Sequence, residues 1–317
     1  MFNQELKERF IREHTSSISV ANACMSLFNA IEKFEVGWEA DICTRTAAEA
    51  QPVVDEIAGL RTGRKQLRVN ILKDYVKWCI TNNIPGACDG VLQTDTSGAE
   101  NMRKKTVKSP LHLQMYLNAL FEKESEETLD NIYRCFYWLA YAGMAEQDIF
   151  NVKVMDVDLS NLSVRFDGYE YPIYREALDC FRNCVHLSQF VYKHPNYTNT
   201  GVVYKPRADG DRLIRGLRPT VSVPAMRVEL SRRSARGIEE HKTDLQLSYY
   251  RVWLSGVFYR MYELERAGFP ADFSGVAANF MEGKQYKLDT SRLTREGYRR
   301  KVTGEYLHDY ENWKKTF

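Results

Sequence analysis

Apolar residues recur at intervals of three and four over most of the chain and at intervals of two in one short stretch, which predicts a mainly helical protein with one small sheet. From about Leu6 to Cys88 the pattern is that of a helical bundle, with Cys24, Leu27, Phe28, Ile31 and Phe34 forming one amphipathic stripe. Thr46-Ala47-Ala48-Glu49 has the spacing of a capping box and starts a helix through Val53, Val54 and Ile57. In the next helix Leu67, Ile71, Leu72, Tyr75, Val76 and Cys79 are expected to face a core. Arg61, Arg64, Lys65 and Arg68 follow the i, i+3, i+4, i+7 rule near its start. Periodicity is then lost among glycines, Asp95, Thr96 and Ser97, which predicts a linker.

The second half opens with Ser109-Pro110, a helix cap followed by proline at the first helical position, and Leu113, Leu117, Leu120 and Phe121 supply the buried face. Leu129, Ile132, Phe136 and Leu139 predict a helix that stops at Ala142-Gly143, where glycine can take the left-handed cap conformation. A short helical turn over Glu146 to Val152 follows. Val157 and Leu159, then Leu162, Val164 and Phe166, then Tyr169, Tyr171 and Ile173 alternate with polar residues. With turns at Ser160-Asn161 and Asp167-Gly168 they predict a three-stranded meander. Further on come a helix through Leu178, Phe181 and Val185, an irregular aromatic-rich segment around His194, Pro195 and Tyr197, and a loop from Lys205 to Pro219. A basic helix begins at Ser222-Val223-Pro224. A long helix from Leu245 to Gly268 places Leu247, Tyr250, Leu254, Phe258, Met261 and Leu264 on its apolar side, and Tyr306, Tyr310, Trp313 and Phe317 form a last helical stripe.

The length of 317 residues gives a prior of two domains. We place a helical domain at 1–88, a linker at 89–108 and a second domain at 109–317. No apolar run approaches about 18 residues and the chain starts polar and charged, so neither a membrane span nor a secretory signal is expected, and a cytoplasmic location is. Seven cysteines scattered through helical patterns suit reduced core thiols. Cys180, Cys184 and His186 invite a metal reading, but His194 falls in a different kind of segment, so no metal and no cofactor is expected. A net charge of +2 is not a nucleic-acid signature in itself. The distribution is more telling, because basic residues gather at Arg61 to Arg68, Arg103 to Lys108, Lys205 to Arg236 and Arg292 to Lys301. Such strips can follow phosphates on a nearly neutral protein, although most charge clusters are solvated helix faces.

The order helix, glycine stop, short helix, meander, together with Ala142-Gly143-Met144-Ala145-Glu146-Gln147-Asp148-Ile149, resembles the first catalytic block of the tyrosine recombinases, the phage integrase family. In that block Ala145 stands where the family has an arginine that binds the scissile phosphate, and Asp148 matches its acidic position. The helix from Leu245 is similar to the second block, in which a histidine precedes an arginine by three residues; here those positions hold Ser248 and Arg251. The family's hairpin lysine and its later histidine or tryptophan have no counterpart in this sequence. Tyr298, inside a basic run with Arg299 and Arg300, matches the nucleophile; Tyr306 is second, and as part of the last stripe it reads as packing.

The resemblance implies an α+β fold, mainly α with a small three-stranded antiparallel sheet, arranged as a two-domain integrase-like clamp on double-stranded DNA. It implies DNA contacts at Arg61, Arg64, Lys65, Arg68, Lys104, Lys105, Arg212, Arg215, Arg232, Arg233, Arg236, Arg299 and Arg300, with Arg251 and Tyr298 as remnants of a catalytic set. The absent residues imply lost strand cleavage and a phage or mobile-element regulator, repressor-like or accessory, associated with the nucleoid. The last stripe would offer a surface for a second copy. Two alternatives stay open. One is an active recombinase with substitutes such as Arg165, Lys153, His241 or Lys242, and the other is a protein-interaction module without DNA.

Overall fold

The computed structural model describes residues 1–57, 62–96, 102, 104–121, 128–186, 188–193, 202–206, 210–216, 221–278 and 295–315. They are mainly helical, with a small three-stranded antiparallel sheet. The chain divides into two compact units, Met1–Arg103 with Arg300–Phe317, and Lys104–Arg299. The last residues thus group with the first unit, whereas the hydrophobic pattern alone assigns them to 109–317. Among the described residues no helix is long and apolar enough to cross a membrane.

In the first unit α1 (Gln4–His14), α2 (Ile18–Trp38), α3 (Ala47–Ile57) and α4 (Thr62–Thr81) enclose Phe10, Leu27, Phe28, Ile31, Val53, Leu72, Tyr75 and Val76, all fully buried. The capping box closes as its spacing predicts: Thr46 N donates to Glu49 Oε2 at 2.9 Å and Glu49 N to Thr46 Oγ1 at 3.4 Å. Leu67 departs from expectation. It shares a face with Ile71 but lies one turn nearer the helix start, beyond the core, and is 51% exposed while Val69 is buried. In the closing stripe Tyr306, Tyr310 and Trp313 are buried within the chain.

Lys7 and Glu35 are both fully buried and bonded to each other. The Lys7 ammonium also lies 3.8 Å from Asp41 Oδ2 and donates to the Phe2 carbonyl at 2.9 Å. Ile42 N donates to Glu35 at 3.1 Å, and Tyr75 Oη donates to Asp41 at 2.9 Å. Burial pushes the Glu35 carboxyl from 4.5 up to about 7, with Lys7 opposing the shift. The folded protein therefore keeps a proton that the unfolded chain has released. Glu35's contribution to stability declines as pH rises from 4.5 to about 7 and is level above that. The span corresponds to roughly 3 kcal/mol. Urea unfolding of wild type and Glu35→Gln over this window is expected to give a stability difference that moves against wild type by that amount; a flat difference would refute the assignment.

The second unit is built around α6 (Thr128–Tyr141), whose residues 132–141 are all buried, so that it is covered on every side. Before it comes α5 (Pro110–Leu120), capped by Ser109 Oγ, which accepts from His112 N at 3.2 Å. Helix α6 ends in a Schellman motif: Met144 N donates to Leu139 O at 3.1 Å and Gly143 N to Ala140 O at 2.9 Å, with Gly143 at φ +94. After α7 (Glu146–Ile149), strands β1 (Val157–Asp158), β2 (Ser163–Phe166) and β3 (Tyr169–Pro172) pair antiparallel in chain order. Asp167 and Gly168 both have positive φ, 50 and 80, as a two-residue hairpin of type I′ requires. Leu162, expected in a strand, has φ 53 and belongs to the preceding turn.

Helix α8 (Leu178–His186) is followed by a second hairpin, β4 (Gln189–Lys193) with β5 (Val202–Pro206), where the sequence predicts an irregular segment and a loop. His194, Pro195 and Tyr197 fall outside the described residues. Helix α9 (Val223–Glu239) starts at Ser222, and α10 (Tyr249–Arg266) starts four residues later than predicted because Ser248 caps it. Helices α11 (Phe273–Val276) and α12 (Arg295–Lys314) are the last of the described elements.

Candidate nucleic-acid interface

Helix α10 holds the glycine stop in place. Trp253 Nε1 donates to Gly143 O at 3.1 Å, and Tyr249 Oη donates to Met144 O at 3.0 Å. This fixes Ala145, the N-cap residue of α7, and the following Glu146. On the other side, buried Ser234 of α9 accepts from Leu247 N at 2.7 Å, tying α9 to the segment before α10. Between these anchors lies a cavity of about 370 Å³ whose polar wall includes Glu146, Arg227, Ser231, Ser248, Tyr250 and Arg251.

Arg251 donates through Nη1 to Gln246 O at 2.6 Å, and burial lowers its pKa from the ordinary value. A guanidinium stays charged in proteins even so. Among the described residues it forms no ion pair. Arg227 is different: it grips Glu146 with two hydrogen bonds, one of 2.6 Å from Nε to Oε1. Two arginines and one glutamate leave the cavity wall with a net charge of +1. Ser248, at the position where the resemblance implies a histidine, accepts from Arg251 N at 3.4 Å and is a helix cap. Arg227 and Glu146 are absent from the expected site residues. Their pairing spans 81 positions, and no local spacing signals it.

The other expected residues are dispersed. Arg61 lies outside the described residues, as do the side chains of Arg64, Lys65, Tyr298, Arg299 and Arg300. Arg68, Lys104 and Arg236 are exposed and Lys105 is partly buried. Arg232 pairs with Glu229 at 2.8 Å. Arg233 is an internal bracket, 2.6 Å from Asp130, 2.8 Å from Glu229 and 5.1 Å from the Tyr133 ring centre. Arg212 and Arg215 lie in a segment that runs antiparallel to Val152–Val154, through Leu213 N to Val152 O at 2.8 Å and Val154 N to Asp211 O at 2.7 Å. The suggested substitutes do not gather at the Arg251 cavity. Lys153 pairs with Asp211, Arg165 with Glu170 and Lys242 with Glu240, while His241 and Lys242 line a separate cavity beside His112 and Asp244.

Elsewhere in this unit Cys135 on α6 meets Cys180 and Cys184 on α8, with all three sulfurs within 4.8 Å of one another. The thiols of Cys180 and Cys184 donate to Asn131 O at 3.2 and 3.5 Å. His186, considered beside these two cysteines on sequence, is exposed and is not part of the cluster.

No protein-family model matches the chain, and no curated protein matches it. Among solved structures the chain is similar to the crystal structure of XerA recombinase, with 11% identity and a TM-score of 0.37 over 95% of this chain and 98% of that one. It is also similar to the Tn1549 transposon integrase in complex with circular intermediate DNA, with 12% identity and a TM-score of 0.37 over 94% of this chain and 98% of the integrase chain.

Proposed function

We propose that this protein binds double-stranded DNA through a recombinase-like two-domain clamp and does not cleave it. It would serve in the cytoplasm, at the nucleoid, as a repressor-like regulator or accessory factor of a phage or mobile element. One observation carries the reading: in the cavity beside Ala145, Arg251 is a cation with no ion-pair partner among the described residues, while the second arginine, Arg227, is neutralised by Glu146. A single such guanidinium can hold a phosphate. Cleavage asks for more, since charge builds on the non-bridging oxygens and the leaving oxygen must be protonated. Losing one oxyanion donor alone costs about 3 to 4 kcal/mol of transition-state stabilisation. Among the described residues no lysine or histidine lines the cavity, and a carboxylate stands one residue after Ala145.

The test is binding of the full chain to mixed-sequence duplex fragments across a salt series, followed by denaturation. The affinity is expected to fall linearly on a log–log plot, by about 0.9 per phosphate neutralised. Arg251→Ala should reduce that slope by about 1. No DNA should remain attached after denaturation. Binding indifferent to salt would contradict the DNA role. A denaturation-resistant adduct lost in Tyr298→Phe would instead establish an active recombinase.

A further inference from the structure

We propose that Cys135, Cys180 and Cys184 form a three-sulfur site for a trivalent thiophilic metalloid, with arsenic(III) as the simplest occupant. The spacing of Cys180 and Cys184, four residues apart on α8, puts both sulfurs on one helix face, and Cys135 presents the third from α6. Bonds to sulfur of about 2.3 Å place the sulfurs of a three-coordinate centre about 3.5 to 4 Å apart. Separations within 4.8 Å need only a small closure to meet that geometry.

Ligand number and charge together select the occupant. Zinc in structural sites takes four ligands in a tetrahedron, and among the described residues no histidine or carboxylate joins the three thiols. Three thiolates around a monovalent or divalent ion would also leave net negative charge among buried side chains, which is unfavourable. A trivalent centre bound to three thiolates is neutral. The three groups that react are cysteine thiols. The step balances without an oxidant. Three S–H bonds and the three As–O bonds of As(OH)₃ break, three As–S bonds form, and the protons leave with the hydroxides as three waters. Arsenic stays at +3. Cys180, 8% exposed against 0% for the other two, is where the first bond forms.

The experiment uses the reduced full chain titrated with sodium arsenite, read by native mass spectrometry and arsenic X-ray absorption. The expected result is one arsenic per chain, a mass gain of arsenic less three hydrogens, and only sulfur neighbours around arsenic in the wild-type protein. Cys135→Ala and Cys184→Ala should abolish the three-sulfur signature, and Cys79→Ala in the first unit should leave it intact. Oxygen neighbours in the wild type would overturn the assignment, as would no adduct, or a three-sulfur signature that survives in Cys135→Ala. The wild-type absorption spectrum decides the question even if a core variant does not fold.

Discussion

Lys7→Met is expected to cost the first unit about 3 to 5 kcal/mol at pH 8, the usual penalty for breaking a buried pair and leaving its partner charged. Methionine matches the stem of lysine but supplies no charge to Glu35 and Asp41, which are 0% and 4% exposed. Among the described residues two carboxylates would then share a buried site with Tyr75, Ile42, Cys43 and Asn3 as donors. The deficit should shrink as pH falls from 8 toward about 7, because Lys7 lowers the Glu35 pKa and without it Glu35 takes up a proton at higher pH than in the wild type. Urea midpoints at pH 8 and pH 5 measure both parts. A deficit under 1 kcal/mol at pH 8, or one that does not change with pH, would show that the network is not what holds these helices.

Gly256→Ala should destabilise the second unit by at least about 2 kcal/mol, the range for forcing a methyl group into a packed core. An added Cβ at Gly256 would lie 1.7 Å from Tyr141 O and 2.5 Å from its carbonyl carbon, so the backbone of α6 itself must move. Two effects compete here. Alanine is the better helix former by about 1 kcal/mol. The steric term prevails because the obstacle is main chain in a helix buried on all sides, where no flexible side chain can swing away. Thermal unfolding compared with Gly37→Ala, a helical glycine with nothing within 4 Å of its added Cβ, separates the terms: the control should gain stability while Gly256→Ala loses it.

What could be read from the chain was local. The Thr46–Glu49 box, the Gly143 stop, the Asp167-Gly168 turn and the Ser109 cap each depend on residues within about five positions, and each occurs as its spacing requires. The start of α10 was misplaced for a related reason. Leu245 and Leu247 are buried, so they extend the apolar period, yet they lie ahead of the Ser248 cap in non-helical backbone. Burial and helicity are separate properties, and the pattern reports only burial. The second hairpin escaped because Phe190 and Val191 are separated from Val202 and Val203 by a long connection without a tight-turn signal.

The candidate site was legible as a list of cations and not as a map of their partners. Arg233 looks like its neighbour Arg232 in sequence, but its reach to Asp130 spans 103 positions and makes it part of the scaffold. The same holds for Arg227 with Glu146 and for Lys7 with Glu35. Charge clusters say where basic residues are dense. Only the tertiary arrangement says which of them are matched, and that separates Arg251 from Arg227.

The Asp167-Gly168 tip of the meander gives the experimentalist a handle. Both residues are exposed, and an atom added at Gly168 would meet nothing within 4 Å. Its φ of +80 argues for keeping the glycine and modifying Asp167 or inserting beside the pair. Neither residue lines the Arg251 cavity or belongs to the cysteine cluster, so a fluorophore or short epitope there would let the protein be followed by anisotropy or immobilised while either is assayed.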